Sequence, residues 1–531
     1  MARPPLGRQR PSSRRNASSP KVPDTFNRAP RAGASGRRHS RSATKPSPRR
    51  PSKVPDTFGS SFGSFGSAVG TRSDASKRTH TGRTGKVPDT FDRPLREDLV
   101  TQGALEAYGA VRHEGWLADR ALDHVLRTKR HLYSNERRAV AERVYALLRR
   151  QRTVDALLER AGAQLERRPP TEQDLLRLSA SRTLHGEDPD RVARTSGLRP
   201  DEARILGALP AAAAQLQALP RADRFALDAS LPDFLARRFL QQFGDRAELE
   251  AAAMNERAPL TARVNLLKNS RDALRERLHR EGVETRETPL SPVGLFLQTR
   301  QNAFALPSFR EGLFELQDEG SQLLGLLVDA PPTRVVDACA GAGGKTLQLA
   351  AQMRNRGELF ALDIDARRLD ELKRRARRDG VHNVRIRPIP ASGPEVASAL
   401  ADLHGNADRV LVDAPCSGTG TFRRKPDARY RLSEEMLAQH VASQRALLEQ
   451  FAPLVRPGGR LIYGTCSLLD EENEAVVAWF LDHHPDFRTL PPADRLGPEL
   501  GSKVTAGDFL RLSPGLHGTD GFFGAILQRQ R

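Results

Sequence analysis

From residue 95 onward the apolar positions follow two regimes, and the change between them comes at Pro332. Before it the helical period dominates. Val140, Val144, Leu147 and Leu148 recur at i, i+4, i+7 and i+8, one buried face of a helix that follows Ser134, a candidate N-cap. Leu105, Tyr108, Leu117, Leu122, Val125 and Leu126 supply earlier faces of the same kind. Residues 228–315 are mixed, with helical patterns over 231–243 and 273–280 and strand-like runs at 260–265 and 295–299. After Pro332 strand and helix patterns alternate, which predicts a parallel α/β sheet. Residues 1–94 follow neither period, with only ten Leu, Ile, Val or Phe in 94 positions, too few to bury a core. The pattern therefore predicts a disordered segment over 1–94, an all-helical domain over 95–227, a small α+β domain over 228–315 and an α/β domain over 316–531.

Charge sharpens this division. The 531 residues carry a formal net charge of +20, and residues 1–94, with 21 Lys+Arg and 5 Asp, hold +16 of it. An anionic partner is expected, most simply a nucleic acid. The same segment repeats Lys-Val-Pro-Asp-Thr-Phe at 21–26, 53–58 and 86–91, as a short linear motif or a duplicated spacer. It is Arg-rich and acid-poor like a mitochondrial transit peptide, but its prolines leave no amphipathic helix. Further on, Arg137, Arg138, Arg149, Arg150 and Arg152 decorate the helical domain, as a solvated face or a phosphate-binding one. No apolar run is long enough to span a membrane. Three cysteines make no disulfide scaffold and fit a reducing, cytoplasmic setting, and no metal-ligand cluster is expected.

The cysteines carry the candidate chemistry. Residues 333–337 read as a strand, Ala338 to Gly344 as a small-residue turn, and Lys345 onward as a helix, the opening unit of a nucleotide-binding α/β fold. Gly344-Lys345-Thr346 imitates a phosphate-binding loop, but the glycine required five residues before Gly344 is Cys339, which argues against an NTPase. A second strand over 358–362 ends at Asp363, placed to accept from the ribose hydroxyls of an adenosine cofactor; helix capping is the alternative, a role Asp365 fills better. The basic run 373–378 reads as an exposed face. Strands over 409–412 and 460–463 lead into Asp413-Ala-Pro-Cys416 and Gly464-Thr-Cys466. All three cysteines thus fall at the carboxyl edge of a parallel sheet, where open α/β folds bind ligands. Each alone has a plain reading as a small buried residue, the favoured one for Cys339.

Asp337-Ala-Cys-Ala-Gly-Ala-Gly-Gly-Lys-Thr346, Asp413-Ala-Pro-Cys-Ser-Gly418 and Thr465-Cys-Ser467 resemble the motifs of the RsmB/NOP/Sun family of S-adenosylmethionine-dependent RNA cytosine-5 methyltransferases. The resemblance extends to Arg263-Val-Asn265 with Lys268, Gln317-Asp-Glu319 with Ser321-Gln322, Pro457-Gly-Gly459 and Gly518-Thr-Asp-Gly-Phe-Phe523. Residues 95–227 resemble the NusB-like RNA-binding domain of the bacterial 16S rRNA branch. The resemblance implies a class I methyltransferase Rossmann-like, doubly wound α/β sheet and a monomer that methylates RNA, rRNA before tRNA. It implies Cys466 as the nucleophile, Cys416 as the group that assists breakdown of the adduct, and Asp413 on the cytosine edge. Cys339, Ala340, Gly341, Ala342, Gly343, Gly344, Lys345, Asp363 and Asp413 would surround S-adenosyl-L-methionine. Lys345 and the run Arg423-Arg424-Lys425 are candidates for ionising the thiols.

Two departures from the family pattern stand out. Gly341-Ala342 replaces the usual Ala-Pro, and Pro390-Ala391-Ser392 lacks the acid that meets the adenine amine, so weaker cofactor binding is expected. Reversed cysteine roles, with Cys416 attacking, and a non-catalytic RNA-binding or ribosome-assembly factor remain as other readings of the residues.

Overall fold

A computed structural model describes residues 93–299 and 302–530. The three KVPDTF repeats and nearly all of the +16 segment lie outside the described residues. Helices fill 97–254. The face expected from Val140, Val144, Leu147 and Leu148 is buried, and it packs in one core with Tyr108, Leu122, Val125 and Leu126. At about 1.5–3 kcal/mol per fully buried large apolar side chain, these faces are what hold the bundle. Ser134 is the first residue of its helix rather than the cap: the Glu136 carboxylate accepts from Tyr133 N at 2.8 Å and satisfies the free N–H there.

A four-stranded antiparallel sheet follows, in the order β2-β3-β1-β4, formed by β1 (Thr261–Val264), β2 (Glu284–Glu287), β3 (Gly294–Gln298) and β4 (Phe314–Leu316). Two of these strands escape the hydrophobic pattern. β2 is largely exposed and reads as polar, and β4 is only three residues long, pairing Ala262 with Leu316 across the boundary expected at 315.

The C-terminal sheet places the site. It comprises β5 (Arg334–Asp337), β6 (Glu358–Asp363), β7 (Val384–Pro388), β8 (Ala407–Asp413), β9 (Val455–Thr465), β10 (Phe487–Leu490), β11 (Thr505–Ala506), β12 (Phe509–Leu512) and β13 (Phe522–Arg529). Strands β7-β6-β5-β8-β9 run parallel, β13 adds antiparallel to β9, and β12 and β10 pair with β13. The chain goes from β5 outward to β7, then returns to β8 on the other side of β5. That reversal opens a crevice at the carboxyl ends of β5 and β8, the position where doubly wound sheets bind ligands. The expected α/β fold is therefore the one observed.

Helices over 221–254 do not pack on the four-stranded sheet. Leu231, Leu235, Phe239, Phe243 and Met254 share a core with Phe422, Leu432, Leu437, Leu468 and Leu469, which flank the two cysteine loops. The bundle joins them there. Arg429, fully buried, donates from Nη1 to Arg149 O at 3.2 Å and to Asn255 Oδ1 at 2.7 Å, and Tyr430 Oη donates to Leu148 O at 2.9 Å. Of the arginines expected on a free helix face, Arg149 donates to Arg423 O and Arg152 pairs with Asp233, so the face is partly an internal junction.

Candidate active site

Two turns and two loops converge on the carboxyl edge of the parallel sheet. β5 ends at Asp337, and the chain turns through Ala338–Gly343 into the helix Gly344–Gln352. The turn needs glycine: Gly341 and Gly343 have φ of 54° and 91°, and a Cβ on Gly343 would lie 2.1 Å from Leu372 Cδ1. Beside it, the carboxylate of Asp363 accepts from Gly341 N at 2.7 Å and from Asp365 N at 2.8 Å, so the second strand fixes the shape of the first turn. Asp365 caps the helix Ala366–Asp379 by accepting from Arg367 N. Ile364, between the two acids, is 63% exposed.

Asp337 lies beneath the turn and accepts from Thr346 Oγ1 at 2.7 Å through one oxygen. Its Oδ1 is buried with no hydrogen-bond partner, and burial pushes the carboxyl up to about 7. Cys339, half-buried in the turn, has its thiol pushed up by burial and by Asp337, Asp413 and Asp363, which leaves it a poor nucleophile.

Cys416 and Cys466 are brought together. Their Sγ atoms are 3.3 Å apart, joined by a sulfur hydrogen bond across fifty residues of sequence. Backbone pairing makes this possible: β8 and β9 are parallel neighbours with Asp413 opposite Gly464, and Ala414 N donates to Gly464 O at 2.8 Å. Gly420 then passes so close to Gly521 that a Cβ there would sit 2.4 Å from Gly521 O, while Gly521 N donates to Gly420 O and Gly420 N to Cys466 O. Lys345 Nζ reaches Asp413 Oδ2 at 2.7 Å, tying the helix after the glycine turn to the strand that delivers Cys416.

The electrostatics of the pair are unequal. The hydrogen bond shared with Cys416 holds the Cys466 thiol below its usual range, helped by Lys425 and Lys345 against burial and Asp413. Cys416 is pushed well up by that same bond, then by burial and by Glu472. Arg423 and Arg424, expected as ionising groups, face elsewhere. Arg423 Nε lies 2.6 Å from Asp520, Arg424 reaches Asp318 at 2.7 Å, and the four charges neutralise one another, Arg423 and Asp520 being buried and Arg424 and Asp318 nearly so. The basic run 373–378 is likewise divided, because Arg375 and Arg378 pair with buried Glu315. Asn265 and Lys268 act as staples: Asn265 Nδ2 donates to Gly312 O and Asp379 O, and Lys268 Nζ to Glu311 O and Arg378 O.

A family model described as "16S rRNA methyltransferase RsmB/F" matches residues 326–528, and a ferredoxin-like domain model of the same group matches 231–303. A probable ribosomal RNA small subunit methyltransferase B of Synechocystis sp. is 33% identical over 430 residues, covering 77% of this chain and 95% of that protein. The chain belongs to the RsmB/F methyltransferase family. A ribosomal RNA small subunit methyltransferase B of Thermus thermophilus is 36% identical, over 73% of this chain and 87% of its own length. The crystal structure of PH0851 superposes with a TM-score of 0.65 at 27% identity, covering 82% of this chain and 99% of that one.

Members of the RsmB/F family use S-adenosyl-L-methionine, and the residues present fit it. The turn keeps its backbone close to the crevice, Asp337 Oδ1 is an unpartnered acceptor under it, and Ile364 offers an exposed apolar face beside Asp363. Two residues of this RsmB/F site escaped the sequence. Ile364 looks like an ordinary strand-end residue, and Glu472 is hidden within the acidic run Asp470-Glu-Glu-Asn-Glu474, where only the fold separates inward from outward carboxylates.

Proposed function

We propose that this protein transfers a methyl group from S-adenosyl-L-methionine to carbon 5 of a cytosine in 16S rRNA, through a covalent bond between Cys466 and carbon 6. The observation that carries the reading is the 3.3 Å pair of Cys416 and Cys466 beside Asp413, at the ligand-binding edge of the sheet. The relatives' names supply the RNA, since those proteins are called ribosomal RNA small subunit methyltransferases.

Carbon 5 of cytosine is too electron-poor to accept a methyl group unaided. Addition of the Cys466 thiolate at carbon 6 breaks the aromaticity and makes carbon 5 enamine-like. When bound, the cofactor supplies an electrophilic methyl group. After transfer, solvent water takes the carbon-5 proton, the electron pair of that C–H bond restores the C5–C6 double bond, and the C6–S bond breaks to release the Cys466 thiolate. A Cys416 S–H, 3.3 Å from that sulfur, would stabilise the departing charge and so assist breakdown. Asp413 gives Oδ2 to Lys345 and keeps Oδ1 for the exocyclic amine of the base. The target must leave its stack to expose carbons 5 and 6, which favours unpaired segments.

Cys339, Ala340, Gly341, Ala342, Gly343, Gly344 and Lys345 would hold the cofactor along the turn, with Asp363 at the ribose and Asp413 at the inner end of the crevice. Ile364 would meet the adenine face, in a chain that has Ala391 and Ser392 where its relatives in the resemblance carry an acid. The unequal surroundings of the two thiols support Cys466 over Cys416 as nucleophile.

Bisulfite sequencing of rRNA and tRNA from cells with and without the gene tests the reading. The expected result is one 16S rRNA cytosine that loses protection in the deletion and regains it with the wild-type gene but not with Cys466→Ser. An rRNA pattern unchanged by the deletion overturns it.

A further inference from the structure

Glu472 is fully buried, yet no cation pairs with it among the described residues. Both of its oxygens are instead spent on the Cys416 loop and its support. Oε1 accepts from Ser417 N at 2.8 Å and from Gln444 Nε2 at 3.0 Å, and Oε2 accepts from Ser417 Oγ at 2.5 Å. Two N–H donors converging on one oxygen, with a hydroxyl on the other, is the arrangement an ionised carboxylate takes. The residue is also fixed from behind, since Tyr463 Oη donates to its backbone oxygen at 2.6 Å and Asn473, its neighbour, accepts from Thr465 Oγ1 at 2.6 Å. Its acidic neighbours point outward, where Asp470 and Glu474 pair with Arg511.

A buried negative charge thus sits against the residue that follows Cys416. The charged and titratable groups around the pair complete the asymmetry. Cys416 faces Cys466 and Glu472, with the Tyr463 phenol, kept neutral by burial, behind it. Cys466 faces Cys416, Asp413, Lys425 and Lys345. A proton shared by two sulfurs 3.3 Å apart settles on the one whose ionisation the surroundings oppose.

We propose that Glu472 is a positioning residue whose buried charge keeps the Cys416 side chain as a thiol, so that the thiolate of the pair resides on Cys466. The proposal deepens the reading of Cys466 as nucleophile and rests on it for its catalytic meaning. Glu472 orients the loop through Ser417 and, by its sign, prevents Cys416 from ionising in place of Cys466.

The test is the pH dependence of alkylation by iodoacetamide, read at each cysteine by mass spectrometry on the full-length protein without RNA or cofactor. In Cys466→Ser, the midpoint for Cys416 reports its own ionisation. Adding Glu472→Gln, which keeps the shape and can reproduce the hydrogen bonds, should lower that midpoint by about one pH unit or more, as removal of a like charge at this range does. Ser417→Ala, which removes a hydrogen bond but keeps the carboxylate, should not lower it. With both cysteines present, Glu472→Gln should increase labelling of Cys416 relative to Cys466 near neutral pH. An unchanged Cys416 midpoint in a folded Glu472→Gln protein overturns the proposal, and so does a fall of about a pH unit in Ser417→Ala, whether or not the Gln variant folds. Failure of wild-type protein to methylate RNA would defeat the functional reading instead, and would leave these midpoints as they are.

Discussion

Lys345 Nζ lies 2.7 Å from Asp413 Oδ2, so the first helix of the cofactor turn and the strand before Cys416 share one ion pair at the centre of the crevice. The pair joins two jobs. Lys345 neutralises the carboxylate proposed to face the cytosine, and its charge also favours the Cys466 thiolate. Lys345→Met should raise the alkylation midpoint of Cys466. It should lower stability by about 1–2 kcal/mol, less than for a fully buried pair because the Asp413 side chain is 28% exposed. Urea denaturation and pH-dependent labelling check the two effects separately.

The division of labour between the cysteines has its own signature. Cys416→Ser should accumulate a denaturation-resistant protein–RNA complex in the presence of cofactor, because addition proceeds and breakdown is slow. Cys466→Ser should form none. Methyl transfer should fall by about 10³-fold or more in Cys466→Ser. Gel mobility after denaturation, with labelled RNA, reads both, and complexes formed by Cys466→Ser alone would reverse the roles.

Asp337 predicts a pH dependence of stability. Its folded-state carboxyl titrates at about 7, above the ordinary aspartate value near 4 of an unfolded chain. Between those values the folded protein holds a proton that the unfolded chain has lost, so this group's contribution is full below about pH 4 and disappears as pH rises through 7. Asp337→Asn should therefore match the wild type near pH 4 and exceed it at pH 8 by up to about 4 kcal/mol. Denaturant melts of the cofactor-free protein at the two pH values measure the difference.

Arg429 links the helical bundle to the segment after the Cys416 loop. Removing its guanidinium strands the carbonyls of Arg149 and Met254 and the Asn255 amide oxygen, while Ala229 O keeps only its bond from Asn255 Nδ2. Arg429→Met should cost about 3 kcal/mol or more. Denaturant midpoints measure it, with the thiol spacing checked by labelling of Cys416.

The elements around this site were legible to different degrees. Strands ending at Asp337, Asp413 and Thr465 announce themselves by apolar runs closed by small or acidic residues, so three cysteines could be set on one edge from the sequence. β2 and β4 could not be found that way, because an exposed polar strand and a three-residue strand have too little pattern. Charges were hardest to place. Arg423 and Arg424 read as free cations until Asp318 and Asp520, about a hundred residues away in each direction, proved to enclose them. Glu472 was invisible for the complementary reason, since nothing in an acidic run marks the one member that turns inward.

The charge of the N-terminal segment is the remaining lever. Residues 1–94 hold +16, while 95–531 hold +4, and all the described hydrophobic cores lie in the second part. A chain beginning at Pro94 should bind RNA more weakly at low salt, with a flatter dependence of log affinity on log salt, because each phosphate neutralised contributes about −0.7 to −0.9 to that slope. On the proposed reading the base is chosen at the crevice of β5 and β8, which the truncation leaves in place. Filter binding across a salt series, with bisulfite mapping of the product, separates the two contributions: a reduced slope at an unchanged cytosine is expected, and a moved methylation site would place target selection in the basic segment.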